Sequence, residues 1–138
     1  MTLNYWAILV CTVLSLVIGA VWYGPLFGRK WMEVIGVKPG DEEARLRMRE
    51  GVWKLYLTQF VLTLFQVWIL AYFVGAGGGK LSLEAAIWTW AAIVMPIVAG
   101  NAMWNNDSAD ISWTRFLIQA GYQLVMFVIF GSILGYWK

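Results

Sequence analysis

The chain has 138 residues, of which 61% are hydrophobic and 13% are charged. This composition, with a mean hydropathy of +0.67, excludes an ordinary water-soluble globular domain. The formal net charge of +2 is too small to indicate a nucleic-acid partner.

Charged residues are confined to a few short intervals, and four long stretches carry none. These stretches are residues 1–28, 55–79, 85–106 and 116–137. Each exceeds the roughly 20 residues with which an α-helix crosses about 30 Å of hydrocarbon. We therefore predict one all-α membrane domain over residues 1–138, an antiparallel bundle of four transmembrane helices. The predicted spans are residues 3–27, 52–74, 83–104 and 111–137.

The first uncharged stretch resembles a signal peptide in position, but it lacks the basic residues with which such peptides begin. We therefore interpret it as a retained helix. It is predicted to end at Gly24 and Pro25, because proline restricts the residue before it and favours a turn. Cys11 lies in this helix and is the single cysteine of the chain, so no intramolecular disulfide can form.

The first connector, residues 28–51, is the polar part of the chain. Seven of the ten basic residues lie between Gly28 and Lys54. Its second half has a capping residue at Asp41, acidic residues after it and arginines near Arg49, an order that suits the helix dipole. We predict a short amphipathic helix there, on the membrane surface.

The second connector, residues 75–80, is rich in glycine and too short to hold structure of its own. The second and third helices are therefore predicted to be antiparallel neighbours. Pro96 lies inside the third span and predicts a kink near Ile93 to Pro96. The third connector, residues 105–110, consists largely of turn formers and helix-capping residues.

Basic residues also predict the orientation. The segment from Gly28 to Lys54 holds seven of them and Arg115 follows the third connector, whereas Lys80 and Lys138 lie on the other side. We therefore predict that residues 28–51 and 105–110 are cytoplasmic and that both termini lie outside. Two groups of aromatic residues mark the predicted membrane boundaries, as an interfacial belt would. They are Tyr5, Trp6, Tyr72, Trp88, Tyr136 and Trp137 on one side, and Trp22, Tyr23, Trp53, Tyr56, Trp104 and Trp113 on the other.

One sequence pattern resembles a known family. The run from Trp22 to Gly28, followed by Trp31 and Met32, closes a first span that begins with Leu3 to Ala7. This pattern resembles the domain-of-unknown-function family seventeen-sixty-one, a family of small bacterial membrane proteins. The four-span layout and the region from Pro96 to Trp104 are similar to that family as well. The resemblance implies a multi-pass protein of the bacterial inner membrane and no established activity.

The chain contains no histidine, the usual ligand of haem and catalytic zinc and the commonest general base. With Cys11 buried in a helix, the sequence indicates no metal site, no cofactor and no catalytic triad. Gly75 to Gly79 lacks the Gly-Lys-Ser/Thr ending of a phosphate-binding loop. We predict a non-enzymatic role with no catalytic residue, and a lipid- or quinone-linked enzyme as the less favoured alternative.

Polar residues, all uncharged except Arg115, recur at helical spacing inside three spans and are expected to meet in a polar seam. The predicted seam comprises Gln59, Thr63, Gln66, Asn101, Asn105, Arg115, Gln119 and Gln123. Interhelical hydrogen bonds are the favoured interpretation, because an amide that faces lipid leaves its polar groups unpaired. The alternative is a cavity near Asn101, Asn105, Asp107 and Arg115 that opens to the cytoplasm and binds a small solute or ion.

Small residues form two further patterns that allow helices to approach closely. Cys11, Ser15 and Gly19 form a stripe on the first helix, and Gly131 with Gly135 forms a G-x-x-x-G motif near the end of the fourth. Packing within one molecule is the favoured interpretation, and a subunit interface is the alternative.

Two functions are compatible with these features. The first is a module that associates as a homo-oligomer or serves as an accessory subunit of a membrane complex. The second is a transporter or channel for a small solute or ion, with the amides along its path. The partners predicted are membrane lipids and either a second copy or other membrane subunits.

Overall fold

A computed structural model of the protein describes residues 3–38, 40–76, 82–105 and 107–137. The described residues form helices and no strand, so the predicted all-α fold is confirmed. The α-helices are α1 (Tyr5–Val21), α2 (Gly28–Val34), α3 (Glu42–Arg49), α4 (Val52–Ala76), α5 (Ser82–Thr89), α6 (Met95–Met103) and α7 (Ala109–Tyr136). Two π-helical segments, Trp22–Leu26 and Trp90–Val94, continue α1 and α5. Residues 77–80 of the predicted flexible connector lie outside the described residues.

Four helical stretches are long and apolar enough to cross a membrane. They are Tyr5–Leu26, Val52–Phe73, Leu83–Met103 and Ala109–Tyr136. Each end lies within two residues of the end predicted from charge distribution. At 1.5 Å per residue, the shortest of them covers about 30 Å, the thickness of the hydrocarbon layer.

Contacts at the two ends of the bundle establish the direction of the four spans. At one end, Asn4 Nδ2 donates to the carbonyl oxygen of Trp137 over 3.1 Å. At the other end, Arg115 donates to the carbonyl oxygens of Val34 and Ala102. Both termini therefore lie at one face, the terminal face, and the first and third connectors lie at the opposite face, the connector face.

The helices pack in chain order around the bundle. The third span packs along α7, and α1 packs against α4 and also against α7. The second span meets the third chiefly through α5, near the terminal face. The predicted neighbours α4 and α6 therefore separate toward the connector face.

The closely packed core occupies the half of the bundle near the terminal face. Its buried residues include Cys11, Val67, Met126, Phe127 and Phe130, none of which is more than 2% exposed. Within a bilayer, lipid is as apolar as these side chains, so close van der Waals packing rather than transfer from water holds the helices together. The remaining half of the bundle contains the cavity described below.

One π-helical segment contains a proline, and the other precedes one. The first span continues through Gly24 and Pro25, where a turn was predicted, to Leu26. Pro25 has no N–H to donate to the carbonyl four residues earlier. The chain instead widens by one residue, and Phe27 N donates to Trp22 O over 3.0 Å. The second segment, Trp90–Val94, ends two residues before Pro96 and overlaps the region where a kink was predicted.

The first connector contains two short helices. The predicted helix is α3, and none of its eight residues is buried. Asp41 caps this helix, because its side chain accepts a hydrogen bond from Ala44 N over 3.1 Å. The helix α2 was not predicted as a separate element. It packs against α7 at the connector face, where its Val34 is buried.

Candidate functional site

A cavity of about 780 Å³ lies between the four spans in the half nearest the connector face. It extends from Trp31 in α2 to Ser15 and Tyr122, which lie midway along their helices. Its polar lining consists of Ser15, Tyr23, Tyr56, Gln59, Asn101, Gln119, Tyr122 and Gln123. Its apolar lining includes Leu16, Ala20, Val52, Leu55 and Val98. These described lining residues include no Asp, Glu, Lys or Arg, so the cavity is polar but uncharged.

The inner end of the cavity is formed where α1 contacts α7 through Tyr122. Tyr122 Oη donates to the carbonyl oxygen of Ser15 over 2.7 Å, and Ser15 Oγ donates to Thr12 O over 2.6 Å. A Cβ atom on Gly19 would lie 3.1 Å from Tyr122 Oη, so a glycine leaves room for this contact. Cys11 and Ser15 are buried, which places the small-residue stripe inside the molecule.

Aromatic side chains form one wall of the cavity from its inner end to the connector face. The rings of Tyr122 and Tyr23 meet edge to face with centroids 5.5 Å apart. Tyr23 makes a second edge contact with Trp31 over 4.8 Å. Such edge contacts are favoured by the ring quadrupoles. The wall therefore joins α7 and the end of the first span to α2.

The polar residues of α4 divide between the cavity and the bundle interior. Gln59 lines the cavity, and its Nε2 donates to Thr63 Oγ1 over 3.0 Å on the next turn. Thr63 is buried. Gln66, two turns from Gln59, is half-buried and is not among the lining residues. One of the three predicted seam residues of this helix therefore faces the cavity directly.

The other cavity amides come from α6 and α7. Asn101, Gln119 and Gln123 line the cavity, whereas Asn105 is exposed beyond α6 and donates to the backbone oxygen of Asn101. Across the described part of the chain, none of these amides bonds to an amide of another helix. The predicted polar faces therefore meet around a cavity and not in the interhelical hydrogen bonds that the sequence favoured.

Arg115 lies outside the cavity, although its spacing grouped it with Gln119. Its Nη2 is 2.7 Å from Asp107 Oδ2 and 3.3 Å from the carbonyl oxygen of Val34. Its Nη1 donates to Ala102 O over 3.4 Å. One guanidinium therefore joins α2, the end of α6 and the third connector at the connector face.

Two tryptophans hydrogen-bond α7 to its neighbours. No internal contact was predicted for either of them from the sequence. Trp22 Nε1 donates to Ile118 O over 3.0 Å, and Trp90 Nε1 donates to Ala120 O over 3.1 Å. Each of these tryptophans is the first residue of a π-helical segment. The sequence placed Trp22 in an interfacial belt, and nothing in a single sequence distinguishes an indole that bonds a backbone oxygen from one that faces the interface.

The second small-residue motif lies far from the cavity. Gly131 is buried in α7 between the core residues Phe130 and Leu134, and Gly135 is half-buried one turn later. Gly131 therefore lies in the packed half of the bundle near the terminal face.

The cavity can bind through hydrogen bonds without any charge. Its amides both donate and accept, and its tyrosine side chains add hydroxyl groups. A charged ligand would lose its hydration without gaining an ion-pair partner, at a high cost in free energy. Among the described residues, no three His, Cys, Asp or Glu side chains are grouped so that they could hold a metal ion. The arrangement therefore suits an uncharged polar ligand.

The model of a family described as a protein of unknown function, DUF1761, matches residues 6–135. No curated protein and no solved structure matches the chain.

Proposed function

The chain belongs to the DUF1761 family, whose function is unknown, and from its geometry we propose that it is a carrier that binds a small uncharged solute inside the membrane. It is a protein with four apolar helices able to span a membrane. The observation that carries the proposal is the cavity, in which Gln59, Asn101, Gln119 and Gln123 from three spans surround one volume.

The size of the cavity supports a binding role. Ligand sites in proteins commonly enclose about 300–1,000 Å³, and the cavity of about 780 Å³ falls in this range. A polar group that makes no hydrogen bond inside a bilayer raises the free energy by roughly several kcal/mol. The four amides around this space are therefore more stable with a hydrogen-bonding occupant than with lipid tails. Because the lining carries no charge, it favours binding of an uncharged solute over binding of an ion.

The closed inner end supports a carrier over an open pore. Beyond Ser15 and Tyr122 the bundle is filled by the core residues Cys11, Met126 and Phe130. The cavity thus reaches the middle of the bundle from one side and stops there. A carrier exposes its site to one side at a time, with the site near the bilayer midplane.

Thermal unfolding of the purified protein in detergent would test this proposal. A panel of uncharged polyols, amides and alcohols would be compared with matched carboxylates and amines. A ligand at 100 times its dissociation constant stabilises the folded state by about 2.7 kcal/mol, which raises the midpoint of unfolding. We expect at least one uncharged compound to do so, and we expect Gln123→Leu to remove the effect.

Gln66→Leu is the matched control, because Gln66 is half-buried but does not line the cavity. It should leave the ligand-dependent shift unchanged. Stabilisation by charged compounds alone, or an equal loss in both variants, would contradict the proposal. The uncharged lining also supports the prediction that the role is non-enzymatic.

Association is a second candidate function, favoured by one observation. Asn101 is exposed on the third span, and that span is the least buried of the four. A second copy or a partner subunit would shield this amide from lipid. The stripe of Cys11 and Ser15 no longer supports association, because both residues are buried within one molecule. Native mass spectrometry in mild detergent would test the idea, and a strict monomer without a partner would count against it.

The orientation is proposed from the basic residues of the first connector. We place the connector face in the cytoplasm and both termini outside a bacterial inner membrane, as the positive-inside rule favours. The hydrogen bond between Asn4 and Trp137 supports a common side for the termini. An alkaline phosphatase fused after Lys138 should be active, whereas fluorescence from a green fluorescent protein fused there would oppose this orientation.

A further inference from the structure

The cavity has an opening toward the surrounding bilayer. The helices α4 and α6 separate toward the connector face, since the second span meets the third chiefly through α5. The lining residues beside this gap are exposed: Tyr56 is 51% exposed and Leu55 67% exposed on α4, and Gln59 and Asn101 are exposed as well. Polar and apolar groups are thus interleaved along the sides of one lateral gap, which lies at the depth of the spans.

The route from the aqueous side is partly covered. Trp31 of α2 lines the cavity, and its ring packs against Tyr23. The same short helix is held to the bundle by the bond from Arg115 to the carbonyl oxygen of Val34, one turn after Trp31. Trp31 thus forms part of the cavity wall at the connector face, while the gap between α4 and α6 faces lipid.

We infer that the cavity receives its ligand from the bilayer, and that the ligand is an amphiphile with one uncharged, hydrogen-bonding head and an apolar chain. This inference rests on the proposed binding role and names the class of ligand. The head lies among Asn101, Gln119 and Gln123, which can pair with hydroxyl or amide groups. The chain lies between α4 and α6, against Leu55 and Val98.

A second copy of the protein is a less suitable occupant of the gap than an amphiphile. A helix with its side chains is about 10–12 Å wide, so it would cover the opening without filling the space that reaches back to Ser15 and Tyr122. Unfilled space next to unpaired amides is unfavourable. A single chain with a small polar head satisfies both the inner amides and the apolar sides of the gap.

Photolabelling in phosphatidylcholine vesicles would test the inference. The probe is a monoacylglycerol with a diazirine in its acyl chain, and the competitors are unlabelled monoacylglycerol, the fatty acid of the same length, and glycerol. We expect labelling on α4 and α6 that unlabelled monoacylglycerol suppresses. The fatty acid and glycerol should compete at least about tenfold less well, because one carries a charge and the other lacks the chain.

Two neighbouring substitutions provide a matched pair. Val98→Trp places a large side chain in the cavity and should reduce labelling about tenfold. Ile97→Trp makes a similar change on a side chain that is 59% exposed and does not line the cavity, and it should leave labelling unchanged. Circular dichroism of both variants would verify that they fold.

The outcomes separate this inference from the proposed function. Labelling confined to other faces, competition by glycerol as strong as by the amphiphile, or a cross-link between two copies through the gap would overturn the inference. A soluble uncharged compound that still gives a Gln123-dependent thermal shift would then leave the proposed function standing. If neither amphiphile nor soluble compound binds, both proposals fail.

Discussion

Arg115 and Asp107 form an ion pair at the connector face, with 2.7 Å between Nη2 and Oδ2. Their side chains are 16% and 32% exposed, so water screens the pair less than it would at an open surface. The guanidinium also binds carbonyl oxygens at the ends of α2 and α6. Because it joins α2 to the end of α6 and to the third connector, its removal affects more than one contact.

Arg115→Gln should therefore destabilise the fold by about 2 kcal/mol, since Asp107 loses its partner and two carbonyl oxygens lose a donor. The midpoint of thermal unfolding in detergent measures the loss. Arg49→Gln, which removes an exposed cation from α3, is the control and should change stability by less than about 0.5 kcal/mol. Similar effects in the two variants would show that the ion pair and the two hydrogen bonds of Arg115 contribute nothing to stability beyond a positive charge.

Tyr122→Phe should cost about 1 kcal/mol, because it removes the hydrogen bond to Ser15 O and keeps the ring. Tyr136→Phe removes a hydroxyl from a residue that is 93% exposed, and it should be neutral. Chemical unfolding followed by circular dichroism would compare the two. An unchanged Tyr122→Phe protein would mean that water or lipid replaces this bond without loss.

Gly19→Ala should also destabilise the protein, by about 1–2 kcal/mol, because its Cβ would lie 3.1 Å from a hydroxyl that is fixed by its bond to Ser15. The cost should fall in the Tyr122→Phe background, where that hydroxyl is absent. Gly100→Ala is the control, since a Cβ there meets nothing within 4 Å, and it should be neutral or slightly stabilising. A double-mutant cycle with no coupling would contradict the contact.

Trp22→Phe and Trp90→Phe should each cost about 1 kcal/mol, because each loses an indole donor to a carbonyl oxygen of α7. Trp104→Phe, at a residue 89% exposed, should have little effect on unfolding. Thermal unfolding of the three variants under one condition makes the comparison. If all three lose the same stability, ring size and not the hydrogen bond is responsible.

Combined replacement of Asn101, Gln119 and Gln123 by leucine should abolish counterflow of the best uncharged ligand in proteoliposomes, because the cavity loses three of its amides. The helical content should stay the same, since leucine is a good helix former. Gln66→Leu should retain the flux. Equal flux in the parent and the triple variant would contradict the carrier role.

The helices follow from local patterns that a sequence displays directly. The predicted spans, drawn around the four uncharged stretches, agree with the apolar helical stretches to within two residues, and Asp41, the capping residue predicted for the surface helix, caps α3. Ser108 illustrates the same rule, since its side chain accepts from Ile111 N at the start of α7. Such features depend on residues within about one helical turn, so a single sequence is enough to predict them.

The site depends on distances between spans, which a single sequence does not contain. Helical spacing predicted that Gln59, Asn101, Gln119 and Gln123 face one another, but whether their amides pair or surround a space depends on how far α4 and α6 separate. Spacing also grouped Arg115 with these amides, although its length lets the guanidinium reach α2 at the connector face. Tyr122 gave no signal, because a tyrosine among apolar residues resembles ordinary packing.

The π-helical segment at Trp22–Leu26 fixes the rotational register of the first span. A π turn contains one residue more than the α-turn it replaces, and each residue of an α-helix turns the chain by about 100°. Deletion of one residue between Trp22 and Leu26 would restore a regular α-helix and rotate everything before it by that angle. Either Ser15 and Gly19 could keep facing Tyr122, or α2, which follows the segment, could keep its packing against α7, but not both. The extra residue therefore sets which side of α1 faces the cavity.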